Sequence, residues 1–110
     1  MTAPDVSDVV LVLTTLGADA DAAALARTLV EERLAGCVNV LPPMTSIYRW
    51  QGAVEQDREQ QLIIKTVAGR LGELEARLRT LHPYDTPEFP VVSAVGGSAA
   101  YLAWLRDSIT

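Results

Sequence analysis

The sequence predicts an α+β fold: a ferredoxin-like split β-α-β antiparallel sheet, in the order βαββαβ, with an extra C-terminal helix and a long hairpin between the second and third strands. Three observations carry this. The two densest apolar runs, "VVLVL" at 9–13 and "LII" at 62–64, belong to the first and third strands, which this arrangement places in the middle of the sheet. The two strand-like segments that contain proline, at Pro42-Pro43 and at Pro90, become edge strands, where a missing ladder donor is tolerated. Leucine-rich stretches with helical spacing stand between the strand pairs.

Each element follows from its residues. "VVLVLTT" (9–15) is continuous, β-branched and apolar, so it reads as a strand covered on both faces. Asp19 is placed to cap the next segment, in which Ala22, Leu25, Ala26 and Leu29 recur at helical spacing and Leu34 closes the stripe. Gly36 is a plausible stop just past that helix. "CVNVLPPMTSIYRWQG" begins as a strand, and its two prolines demand an edge or a bulge. Beyond them Met44, Ser46, Tyr48 and Trp50 share one face, while Thr45, Ile47 and Arg49 share the other. "WQGAVE" supplies a glycine-containing turn, and "VEQDREQQLIIKTV" (54–67) returns, polar first and apolar last.

Leu71, Leu74, Leu78 and Leu81 form the stripe of a second helix. Glu73–Arg77 and Glu75–Arg79 are spaced for i,i+4 pairing, worth about 0.3–0.5 kcal/mol each. Pro83 disfavours helix at His82. "EFPVVSAV" is a last strand, Gly96-Gly97 turn the chain, and Ser98 caps a final helix carrying Tyr101, Leu102, Leu105 and Ile109.

The totals narrow the function. A chain of 110 residues suits a single domain, residues 1–110. Fourteen acidic residues against nine basic ones give a net charge of −5, which argues against nucleic acid as a partner. The lone cysteine, Cys37, excludes an intrachain disulfide and the cysteine-rich zinc modules. The acidic start, "MTAPDVSD", has no targeting pattern, and the longest apolar run is too short to span a bilayer. A cytoplasmic protein with no membrane partner is the expectation.

Residues 38–50 and 53–67 give hairpin arms that would reach roughly 40 Å if straight, against a radius of gyration near 13 Å for a domain of this size. The tip therefore overhangs its own core and carries Ile47, Tyr48, Arg49 and Trp50 with it. Open edges and exposed aromatics invite another copy of the chain, so Ile47, Tyr48, Arg49 and Trp50 are the candidate subunit interface. A shorter hairpin bent at Pro42-Pro43, with Trp50 folded back on the sheet, is the alternative.

Four blocks in consistent order, "LAGCVNVLPPMTSIYRWQGAVEQD" (34–57), "LIIKT" (62–66), "LHPYDTPE" (81–88) and "YLAWLRDSI" (101–109), resemble the CutA family, the divalent-cation tolerance proteins. The resemblance implies a cytoplasmic homotrimer of ferredoxin-like subunits whose long hairpins pack across subunit boundaries. It also implies a non-enzymatic role in tolerance of copper and other divalent metals, with Cu(II) or another divalent cation as ligand and no cofactor required. The family's metal-linked residues map to Cys37 in "GCVN", His82 in "HPY" and Glu88 in "PE". Some members carry a further cysteine where this chain has Thr14, which removes a soft ligand. Gly36, Arg49 and the "FP" at 89–90 also depart from the commonest pattern.

The residues themselves leave alternatives open. His82 can be a metal ligand or a helix-end ring bonded to a carbonyl, and Cys37 a ligand or a small buried apolar residue. Tyr84, Asp85, Pro87 and Glu88 form either a stiff corner or the lining of a ligand cleft. Lys65 is a snorkelling side chain or an anion contact. Arg49 and Glu59, on facing arms, are expected to pair with each other or with a neighbouring subunit. Rival functions are a small-molecule sensor similar to the nitrogen-regulatory PII proteins, which bind effectors between subunits, and a ligand-free scaffold.

Overall fold

The longest strand, β4 (Ala53–Val67), is the spine of the molecule. The computed structural model describes residues 8–110; the segment read above for targeting signals lies, over 1–7, outside the described residues. In chain order β1 (Val9–Gly17), α1 (Ala22–Glu31), β2 (Cys37–Val40) and β3 (Met44–Trp50) precede β4, and α2 (Leu71–Leu81), β5 (Val91–Ser93) and α3 (Ala99–Ile109) follow it. The sheet order is β2-β4-β1-β5, with β3 also on β4, and every pairing is antiparallel. The two apolar runs occupy the centre, and both proline-bearing segments lie at the edges, as the pattern predicts. No helix among the described residues is long and apolar enough to cross a membrane.

The prolines make a bulge. Val40 stands opposite Leu62 and Met44 opposite Glu59, so the arm with Pro42-Pro43 holds one residue more than its partner. Past the bulge the hairpin runs straight to Trp50 opposite Ala53. Gln51 (φ 50°) and Gly52 (φ 82°) close it, which matches the two left-handed positions of a two-residue hairpin turn. The overhang is real: the extents are 52 × 27 × 24 Å and the radius of gyration is 15.1 Å.

Period-2 alternation divides the sheet's two faces. Val12, Leu16, Leu62 and Ile64 project to one face and are buried against Leu25 and Leu29 of α1 and Leu74 and Leu78 of α2. On the other face Val9 packs with Leu102, Leu105 and Ile109 of α3. This helix covers only one end of that face, so Leu11 and Leu13 stay half-buried, and β1 is fully covered on one face rather than two. Tyr101 turns outward from α3.

Local details depart from expectation where long-range packing intervenes. Asp21, not Asp19, caps α1, accepting from the Ala24 amide at 3.0 Å. The helix stops at Glu31, and Arg33 takes the left-handed turn at φ 59°; Leu34 is buried beyond it. Gly36 therefore is no helix stop. A Cβ there would lie 2.5 Å from Leu105 Cδ1, so this glycine lets α3 close over the start of β2. Glu75–Arg79 pair as spaced, but Glu73 takes Arg70 and Arg77 reaches across to Glu32 with two bonds of 2.8 Å. A planar guanidinium forking onto a carboxylate fixes α2 against α1 more specifically than one surface i,i+4 contact.

Thr14 is fully buried on the helix-covered face, and its Oγ1 has no hydrogen-bond partner among the described residues. Thr14→Val removes an unsatisfied hydroxyl at almost constant volume. The expected result is a gain of about 1 kcal/mol in urea unfolding, with the slope unchanged.

Candidate functional site

The segment after α2 builds the site. His82 ends the helix with extended dihedrals (φ −85°, ψ 133°), as Pro83 requires. Its ring is 7 % exposed and both nitrogens are engaged: Nε2 lies 2.7 Å from the Thr15 carbonyl oxygen, and Nδ1 accepts from the Tyr84 amide at 3.1 Å. A carbonyl oxygen can only accept, so the proton sits on Nε2 and the Nδ1 lone pair faces the amide. The histidine thus ties the strap 83–88 to the end of β1.

Held there, the strap faces the hairpin across a cleft of about 910 Å³. Met44, Ser46, Tyr48 and Trp50 line it from β3, on the same face as Asp57, Glu59 and Gln61 of β4. Two tyrosine–carboxylate pairs line it: across the cleft the Tyr84 hydroxyl donates to Glu59 Oε2 at 2.8 Å, and within the hairpin the Tyr48 hydroxyl donates to Asp57. Gln61 Nε2 donates both to the Thr14 carbonyl (2.7 Å) and to Glu88 Oε2 (3.0 Å), fastening the far end of the strap.

Both phenols are held protonated. The bond to Asp57, then desolvation and the negative charges of Asp57, Glu59 and Glu55, push Tyr48 up to about 12. Tyr84 is raised further, first by burial, then by its bond to Glu59 and the surrounding negative charge. A phenol raised by folding adds stability below its ordinary value of 10 and loses that addition as pH climbs through its folded value, because the native state then holds the extra proton. Absorbance at 295 nm is expected to show Tyr48 ionising near pH 12, and Tyr48→Phe to delete that late step. An alkaline profile identical in the variant would contradict the Tyr48–Asp57 bond.

The predicted metal residues are only partly brought together. His82 and Glu88 bracket the strap. Cys37 lies opposite Lys65 in the sheet, whereas Thr15, the anchor of His82, lies opposite Gln61, about 13 Å away along β4. Lys65 itself sits 5.9 Å from the Tyr101 ring centre, a cation–π contact. Among the described residues, no three His, Cys, Asp or Glu side chains in the chain are arranged to hold one metal ion. Arg49 and Glu59 do not pair: Arg49 lies opposite Val54 and Glu59 opposite Met44, on different faces of the hairpin. The tyrosine–carboxylate pairs were not legible in sequence, since 25 residues separate Glu59 from Tyr84.

A family model described as CutA1 divalent ion tolerance protein matches residues 10–108. The chain belongs to the CutA1 family. The divalent-cation tolerance protein CutA of Thermus thermophilus is 45% identical over 98 residues, covering 89% of this chain and 95% of that protein. Its namesake in Pectobacterium atrosepticum is 44% identical over 102 residues, 93% of each chain. A solved CutA from Xylella fastidiosa superposes with a TM-score of 0.89 at 44% identity, covering 94% of this chain and 100% of that one. The family resemblance carried by the four sequence blocks is thereby established, and with it the α+β architecture of an antiparallel sheet with three helices. In this CutA1 chain the strap and the hairpin gather polar side chains that the core does not use, Glu59, Gln61 and Glu88 among them.

Proposed function

We propose that this chain works as a non-enzymatic, cytoplasmic homotrimer that serves divalent-cation tolerance by binding Cu(II) or a related ion. Counting β2 and β3 as one bent arm, the strand order supports the ferredoxin-like reading of each subunit. The observation that carries the trimer is the hairpin: it extends past the core with Ile47 68 %, Val54 66 % and Trp50 49 % exposed, an apolar load that association would bury. Tyr48 and Arg49 accompany them on its two faces. The donors expected for the cation are Cys37, His82 and Glu88. One chain keeps Cys37 apart and engages both nitrogens of His82, so the seat is expected between chains, with exposed Glu88 the donor readiest to take part.

Sedimentation velocity is expected to give three times the chain mass at micromolar concentration. The pair Ile47→Asp and Trp50→Asp is expected to give a folded monomer. A wild-type monomer would overturn the assembly. Calorimetry with Cu(II), repeated on Glu88→Gln and Cys37→Ala, tests the seat; unchanged affinity in both would remove those residues from it.

A further inference from the structure

We infer that the hairpins of neighbouring copies stack head to tail, the basic face of one against the acidic face of the next, so that each copy supplies the counter-charge the other lacks. This rests on the assembly proposed above and adds which surfaces meet and why the contact closes as a ring. The observation that carries it is that the hairpin sorts its charges by sign between its two faces.

The ladder register assigns the faces, because residues opposite each other in an antiparallel pair point the same way. Thr45 with Arg58, Ile47 with Gln56 and Arg49 with Val54 form one face, which holds two arginines and no acid. The other face holds Glu55, Asp57 and Glu59 at every second position of β4, beside Tyr48 and Trp50 of β3, and no base. None of these five ions is in a salt bridge among the described residues. The two strands lie between the faces, so a hairpin cannot neutralise itself. The strap supplies no counter-charge either, since no lysine, arginine or histidine lines the cleft it forms with the acidic face. Arg49, Arg58, Glu55 and Asp57 are all exposed, so their charges are open to another chain.

The apolar groups follow the same division. Exposed Ile47 and Val54 lie beside the arginines, and the half-exposed rings of Tyr48 and Trp50 beside the carboxylates. Stacking unlike faces therefore buries apolar surface against apolar surface and sets guanidinium groups near both carboxylates and aromatic rings. A two-fold pair would lay like on like, arginine against arginine or carboxylate against carboxylate, and like charges brought together oppose association. Unlike faces make a heterologous contact in which every copy uses both, and such a contact closes as a ring. A ring of three leaves no face unmatched.

The test reverses charges in the whole chain and follows assembly by sedimentation velocity over a dilution series. One variant reverses the basic face (Arg49→Glu with Arg58→Glu), a second the acidic face (Glu55→Arg with Asp57→Arg), and a third carries all four changes. Each double variant is expected to need a concentration at least about tenfold above that of the wild type to assemble. The fourfold variant is expected to assemble within about threefold of the wild type, because its faces are again opposite in sign. Arg27→Glu with Arg79→Glu, an equal change of net charge at exposed helix positions, is expected to assemble as the wild type does. Circular dichroism checks that the variants fold. Wild type compared at about 0.05 and 0.5 M NaCl gives an arm free of substitutions, in which screening is expected to weaken assembly at least about tenfold. Double variants that assemble like the wild type, a folded fourfold variant no better than the doubles, equal disruption by the helix reversals, or assembly indifferent to salt would each overturn the inference. A monomeric wild type would overturn the assembly as well, whereas a trimer indifferent to all four hairpin reversals would overturn this inference alone.

Discussion

His82→Ala is expected to destabilise the protein by about 2–4 kcal/mol in the presence of a chelator, when no metal is bound. The ring is buried and serves two partners, the Thr15 carbonyl and the Tyr84 amide. Truncation leaves both without their bond and leaves a void where the imidazole stood; orphaned buried groups cost about 1–3 kcal/mol and cavities add to that. The strap should loosen with it, so hydrogen exchange at the Tyr84 amide is expected to accelerate more than exchange in β4. This separates two roles for one residue. A variant of unchanged stability in chelator that had lost affinity for Cu(II) would make His82 a ligand rather than a tie.

Leu62→Ala is expected to cost about 3–5 kcal/mol. Leu62 is fully buried in the central strand, in one cluster with Val12, Leu16, Leu29, Leu74 and Leu78. It is held by ladder bonds from both sides, opposite Thr14 on β1 and Val40 on β2, so the backbone cannot move to fill the gap. Close packing on every side means the lost contacts are not recovered. Urea denaturation checks it, against Leu11→Ala on the half-covered face, where the loss should be markedly smaller. Equal losses would mean that the half-covered face is as well packed as the core.

Much of this architecture could be read from single residues. Pro42-Pro43 announced a bulge and Pro83 a helix end, because proline acts through its own ring and missing amide. Ser98 caps α3 as expected, with its Oγ accepting from the Tyr101 amide at 3.2 Å. Long-range choices were hidden. Asp19 and Asp21 are equivalent as caps in a string of letters. Arg77 preferred Glu32, just past the end of another helix, to Glu73 on its own, since a two-bond fork onto a carboxylate is geometrically better than a solvated neighbour. Gly36 looked like punctuation and is instead a gap left for Leu105, a residue far along the chain.

The sequence by itself determined the element order, the central and edge strands, the overlong hairpin and the family, because hydrophobic period, proline and motif order are local properties of the chain. Only the tertiary structure decided the site: that His82 spends both nitrogens on the strap, that Cys37 stands apart, and that Tyr48 and Tyr84 meet carboxylates of β4 around one cleft. Those facts depend on strand register and on a corner that folds back across it. No periodicity records which distant side chains such a corner brings face to face.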